Sequence, residues 1–203
     1  MTIKLLIPVD GSEGARQAVQ YVADTFGHTP ELKITLLHIL PELPPAMWDD
    51  GHILSETERQ ERQGLIADWE NQEEKPWEAI LAQARDKLIQ AGIAAEALSI
   101  KYQPMYSDIA DDILDEAELE GCSTIVIGRH GMTGAMKIFM GSISNKVVHH
   151  AKGMAVIIVD HAQLEESPET RSLRVKERRL RRAKAKAAKK GCLERIIYFS
   201  KYW

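Results

Sequence analysis

The chain has 203 residues, 44% of them apolar, which is enough to bury one sizeable core and fits one domain plus an appendage. Its net charge of −4 hides an asymmetry: residues 1–160 hold 13 basic and 25 acidic side chains, whereas 161–203 hold 13 basic and 5 acidic. No apolar run reaches the roughly 18 residues of a membrane span, MTIKLLIPVDG has neither a basic flank nor a small-residue cleavage site, and Cys122 and Cys192 fit no metal or redox spacing, so the sequence predicts a cytoplasmic protein.

Ile3–Val9 (IKLLIPV) reads as a buried strand closed by DGS. Ala15, Ala18, Val19, Val22 and Phe26 then recur at helical spacing, with Ser12 placed to cap the first turn and Gly27 to end the last. Lys33–Leu40 (KITLLHIL) is a second strand, and strand, helix, strand at this spacing demands a parallel pair with a right-handed crossover. Residues 41–75 carry ten acidic and three basic side chains and a serine and glutamate, Ser55 and Glu58, spaced as a capping box. They predict a loop and an exposed acidic helix, an insert in the alternating pattern.

Pro76 is read as the start of another helix, with Ile80, Leu81, Ala84 and Leu88 on one face and Gly92 at its end. A strand follows at Ala97–Tyr102. Ser107 is read as the start of a helix with the stripe Ile109, Ala110, Ile113, Leu114 and Ala117, stopped by Gly121. Thr124–Ile127 (TIVI), a helix from Ser142 to Ala151 and a last strand, Ala155–Val159, complete the body. Five strands alternating with helices predict a doubly wound α/β fold, an open five-stranded parallel sheet covered on both faces. The domain is expected at 1–160, with its acidic insert at about 41–75, and a basic accessory segment at 161–203. That segment has a helix start at Ser167-Pro168, the run RVKERRLRRAKAKAAKK with a thin stripe of Leu173, Leu180 and Ala187, and the ending CLERIIYFSKYW.

The stretch that carries chemistry is IGRHGMTGAMKIFMGSIS, residues 127–144, directly after a strand and leading into a helix. In open α/β sheets ligands bind beyond the carboxyl ends of the strands, and glycines such as Gly128 and Gly131 let the backbone approach a phosphate. Gly141-Ser142 opens the next helix, whose free amides and positive dipole end suit an anion, with the Ser142 hydroxyl as a further donor. Glycines after a strand also make plain turns, and strand context alone leaves both readings open.

The spacing Gly, two residues, Gly, nine residues, Gly-Ser resembles the nucleotide loop of the ATP-binding universal stress proteins. LLIPVDGSEGA resembles that family's first strand and turn, LLHIL its second strand and GSISNKVVHHA its last helix, so the resemblance covers about 1–40 and 76–160. It implies that Asp10 accepts hydrogen bonds from ribose hydroxyls or the adenine edge, and that Pro8, Val9 and Ile39 wall the adenine. Ile127, Gly128, Arg129, Gly131, Gly141, Ser142 and Ile143 would line the ribose and phosphates. Arg129 is either a phosphate clamp or a solvent-facing side chain, and Ser144 either a phosphate donor or a helix cap. Ala155-Val156 departs from the family's usual Pro-Val pair, which bears on the edge strand and not on the ligand.

Among the histidines, His38 in its apolar strand is read as a packing residue, His130 as a bystander in the glycine loop, and the adjacent His149 and His150 as unable to form a metal pair. Mg²⁺ would arrive with ATP, held by phosphates and water. The resulting expectation is a nucleotide-dependent sensor or regulator with slow or no hydrolysis. An ATPase or nucleotidyl-transfer enzyme is the alternative, weakened by the lack of an HxGH pair or an SGGxDS loop, and a nucleotide-independent interaction protein is the third reading. The resemblance implies a two-fold homodimer through Ala155–Val159. For the basic segment, contact with the acidic insert, within the chain or between subunits, ranks ahead of an anionic membrane or nucleic acid, with a solvated, disordered tail as the other reading.

Overall fold

Leu5, Leu6 and Ile7 are consecutive and all fully buried, so β1 (Ile3–Pro8) is covered on both faces, as a strand in the middle of a parallel sheet must be. The computed structural model describes residues 2–48, 54–132 and 140–160, together with 172–173, 175–183 and 185. Two compact units divide the chain, Met1–His161 and Ala162–Trp203. In the second, residues 175–183 are helical and Leu180 is exposed. Ser167-Pro168, Ala187, Cys192 and Tyr202-Trp203 lie outside the described residues.

In the first unit β1 is followed by α1 (Glu13–Phe26), β2 (Leu32–Glu42), α2 (Glu56–Gln90), β3 (Leu98–Met105), α3 (Ile109–Leu119), β4 (Thr124–Gly128), α4 (Ser142–His150) and β5 (Ala155–Val159), with short 3₁₀ turns at Pro45–Met47 and Ala95–Ala97. The strand order is β3-β2-β1-β4-β5 and every pairing is parallel. The five-stranded doubly wound sheet expected from the sequence is therefore the observed one. Successive side chains enter opposite cores. Leu5, Ile7, Val9, Ile34 and Leu36 pack with α1 and α2, and Leu6, Leu37, Ile125 and Ile127 pack with α3 and α4.

Ser12 caps α1 by accepting from the Ala15 amide at 3.1 Å. Gly27 does end this helix, but in a right-handed conformation (φ −51°) and not the left-handed one usual for a terminal glycine. Its missing Cβ makes room for the Ala91 carbonyl at the end of α2.

Two helix starts differ from the sequence reading. Pro76 does not open a helix: it lies inside α2, which runs unbroken for 35 residues from the Ser55–Glu58 capping box. Proline has no N–H to give the carbonyl four residues back and costs a helix interior about 3 kcal/mol. The helix carries it because its start is doubly capped, Arg62 ties it to the Met47 carbonyl at 3.0 Å, and Leu81, Ala84 and Leu88 are buried beyond it. The acidic helix of the insert and the helix after Pro76 are thus one element. Likewise α3 starts from Asp108 and not Ser107, because the Asp108 carboxylate accepts from the amides of Ala110 and Asp111 at 2.9 and 3.2 Å. Ser107 instead gives its amide to Asp112, which also holds the Tyr106 amide and so ties the β3–α3 turn.

The strands run longer than their apolar cores suggested. β2 continues through Pro41 to Glu42, and β3 runs on to Met105 beside it, so both reach the crest where the site lies. Among the described residues no helix is long and apolar enough to cross a membrane.

Candidate functional site

The chain leaves β1 toward β2 and β3 on one side of the sheet, while β4 and β5 lie on the other. The order reverses between β1 and β4, and a crevice at such a switch point is where open α/β sheets take their ligands. Asp10 stands at the end of β1. One of its carboxylate oxygens accepts the Ser12 amide at 3.0 Å, closing a turn across Gly11, whose φ of +73° few residues other than glycine adopt readily. Beside the start of α1, this geometry holds the carboxylate in a fixed direction. Its other oxygen faces the loop after β4: a Cβ built on Gly131 would stand 3.0 Å from Asp10 Oδ2.

The loop is pressed against its neighbours on each side. Gly128 packs on the backbone of Gly14 in α1, and Gly14 in turn admits the His130 carbonyl, so a Cβ on either would overlap backbone. Gly141 donates its amide to the Arg129 carbonyl at 2.9 Å, and a Cβ there would meet that oxygen at 3.2 Å. This contact brings the first turn of α4 to the loop. The amides of Ser142, Ile143 and Ser144 have no carbonyl four residues back within the helix, and they lie at its positive end. Such a helix start is a receptor for a phosphate or another anion. Residues 133–139, the middle of the glycine loop, lie outside the described residues.

Ile127 is buried, and Ile39 and Ile143 are partly buried against the α3/α4 core. Pro8 ends β1 and Val9 follows it, with the Val9 amide donating to the Leu37 carbonyl at 2.8 Å. Ser142 is exposed at the first position of α4. Ser144 is buried, and its hydroxyl donates to the Gly128 carbonyl at 2.7 Å, which fastens α4 under the loop. The Arg129 guanidinium is paired with the Asp160 carboxylate. Asp10, Gly128, Arg129, Gly131, Gly141 and Ser142 thus gather at the β1/β4 crevice, with Ile39 one strand over.

Behind the crevice His38 donates through Nδ1 to the Val9 carbonyl at 2.6 Å and stacks on Trp77, ring centroids 3.9 Å apart. Burial draws its pKa below the ordinary histidine value, against weaker upward pulls from the Val9 carbonyl and Asp10. Trp77 and Ile80 of α2 also close over Gly11. At the far side Lys146 of α4 pairs with Asp108 and Asp111 at the start of α3. The hydrogen bond from Lys146, helped by the helix amides, holds Asp108 down at about 2. No group of three His, Cys, Asp or Glu that could hold a metal occurs among the described residues.

Two supporting parts were not singled out from sequence. Gly14 is one, although its place in the first turn after a strand-ending Asp-Gly-Ser is a usable signal. Trp77 is the other, hidden because Pro76 marked a false boundary.

A glycine-walled crevice at the switch point of a parallel sheet, faced by a helix start, places the chain among the doubly wound α/β proteins with their ligand sites at the strand crest. The model of the universal stress protein family matches residues 1–160, and the chain belongs to that family. Universal stress protein YxiE of Bacillus subtilis (strain 168) is 27% identical over 144 residues, 71% of this chain and 90% of that protein. Among solved structures, hypothetical protein MJ0577 matches with a TM-score of 0.56 at 22% identity, over 80% of this chain and 98% of its own. A universal stress protein solved in complex with cAMP matches with a TM-score of 0.50 at 18% identity, over 79% of this chain and 98% of its own. At these identities the structural likeness bears on the fold.

Proposed function

We propose that the chain is a nucleotide-dependent regulator of the stress response that binds ATP across the β1/β4 crevice and hydrolyses it slowly or not at all. The observation that carries this reading is the opposition of Asp10 and Gly131: a fixed carboxylate faces bare backbone, with the start of α4 held behind that backbone by the contact of Gly141 with Arg129. A carboxylate suits ribose hydroxyls, which are donors, and the helix start suits phosphates. Adenine is supported as the base by the relative of the same fold solved with cAMP. Mg²⁺ would come with the nucleotide and keep mainly phosphate and water ligands. The regulatory reading is favoured over an enzyme because His38 is engaged by Val9 and Trp77 and Ser144 by Gly128, which leaves neither side chain aimed at a γ-phosphate.

Mass spectrometry of nucleotide released by denaturing freshly purified protein, followed by titration with ATP, tests the reading. Bound adenine nucleotide and saturable ATP binding are expected. Wild-type affinity in a folded Gly141→Val variant would sink the site. The proposal extends to a two-fold dimer through β5 and to a basic segment, 161–203, that is accessory: its removal should leave ATP affinity unchanged.

A further inference from the structure

The crest of the sheet carries a row of three residues on the α3/α4 side. Gln103 of β3 is in register with Ile39 of β2, and Pro8 of β1 with Leu37 of β2. The Val9 amide donates to the Leu37 carbonyl as part of that last pairing, and Asp10 follows two residues after Pro8, just past the end of β1. Leu6, Leu37 and Ile39 pack in the α3/α4 core, and two-residue alternation puts Asp10 and Gln103 on that same side. With strands about 4.8 Å apart, the columns of Asp10 and Gln103 are separated by about 10 Å, with Ile39 between them.

Gln103 also has an unanswered polar atom. Its Oε1 is shielded from solvent and has no hydrogen-bond partner among the described residues. Buried acceptors are paired in the great majority of cases, and an exception calls for an explanation, a bound water, ion or ligand among them.

We infer that Gln103 reads the base of the bound nucleotide, its carboxamide oxygen accepting the exocyclic amine of adenine. The inference rests on the nucleotide reading above and adds to it a specificity-determining residue. The nucleotide then lies across the strands: base edge at β3, base face along Ile39 of β2, ribose at Asp10 of β1, phosphates at the loop after β4 and the start of α4. The final torsion of a glutamine side chain is broad, so the carboxamide can turn to meet the ring. Its NH₂ group then lies ready for an adjacent ring nitrogen, the two-point pairing by which glutamine recognises adenine elsewhere.

The experiment is a cycle between the ligand amine and the side chain. ATP and purine riboside triphosphate, which lacks the amine, are titrated against the full-length wild type, Gln103→Leu and Gln103→Glu, with thermal unfolding as the control for folding. The wild type should bind ATP roughly three- to tenfold more tightly than the amine-free analogue, the range of one net hydrogen bond. Gln103→Leu should bind both alike, and Gln103→Glu, which keeps the acceptor, should retain the preference. A preference for ATP that persists undiminished in Gln103→Leu overturns the inference, as does a wild type that binds both ligands equally; in either case nucleotide binding itself stands. If the leucine variant fails to fold, loss of the preference in folded Gln103→Glu overturns it instead. A wild type that binds neither ligand removes the nucleotide reading and this one with it.

Discussion

Asp10 and Gly131 face each other across the crevice between β1 and β4, with room for a hydrogen atom on Gly131 where any other residue would push a Cβ to 3.0 Å from the carboxylate. Gly131 is not among the glycines with positive φ, so a side chain there brings no backbone strain and its effect falls on the crevice. Gly131→Val should therefore fold with near wild-type thermal stability and lose ATP affinity by tenfold or more, roughly the loss of one charge-assisted hydrogen bond. Calorimetric titration beside a melting curve separates the two effects. An unfolded variant, or a folded one with intact affinity, contradicts the geometry.

Lys146 and Asp108 join α4 to the start of α3, and their link gives a pH signature. Asp108 is held at about 2, below its ordinary 3.8, chiefly by the hydrogen bond from Lys146. The folded value lies below the unfolded one, so the unfolded chain binds more protons between them. The stabilisation is complete above about pH 4 and is lost as pH falls through about 2. Asp108→Asn keeps the helix cap and removes the charge. Its melting temperature should lie below wild type at pH 6, and the gap should close as pH falls from 4 to 2.

Most of the fold was legible because the strands are short apolar runs between turn residues, and the glycine loop because its place after β4 has a chemical meaning. Pro76 shows where local rules gave way. Read alone it is a boundary, but tertiary burial of Leu81, Ala84 and Leu88 on one side and a complete capping box on the other carry the helix through it. Ser144 shows a second limit. A serine in the first turn of a helix is equally suited to a ligand or to the backbone, and only the approach of the Gly128 carbonyl decides that its hydroxyl turns inward. Gln103 left no mark in the sequence, since its meaning comes from its register with Ile39.

The same proline offers a stability test. Pro76 is exposed, and Pro76→Ala would restore an amide for the carbonyl of Gln72 without removing buried contacts. An increase of about 1–3 kcal/mol in unfolding free energy, together with greater helicity, is expected from the removal of a helix-interior proline. Denaturant unfolding followed by circular dichroism reads both, and a loss of stability would mean that the proline shapes the seat of Trp77.

His38 supplies a second pH dependence, near neutrality. Burial lowers its folded pKa below the ordinary 6.5, so the unfolded chain takes up a proton first as the medium is acidified. The contribution is full above about 6.5 and declines as pH falls below it toward the folded value. His38→Phe can keep the stack on Trp77 but gives the Val9 carbonyl no donor, a loss of about 1 kcal/mol at pH 8. Urea midpoints measured from pH 8 to pH 5 should fall less steeply in this variant than in wild type. Parallel curves would show that another group is responsible.

The proposed dimer through β5 can be tested atom by atom on the strand backbone. Among the described residues β5 is the last strand of the order and pairs only with β4, so its other side is an edge there. The Ala155 amide donates to the Ser123 carbonyl and the Val159 carbonyl accepts the Arg129 amide, both toward β4. In a parallel ladder the residues that bond one neighbour alternate. Ala155, Ile157 and Val159 therefore serve β4, while the backbone groups of Val156 and Ile158 point to the free edge. Val156→Pro removes a donor from that edge without taking a bond from the β4 ladder, whereas Ile157→Pro takes one from the ladder itself. Sedimentation equilibrium should give a dimer for wild type and a folded monomer for Val156→Pro, with Ile157→Pro markedly less stable in thermal melts. A Val156→Pro protein that remains fully dimeric would place the interface elsewhere, because a strand-to-strand dimer cannot form past a proline that fills the donor position with a ring.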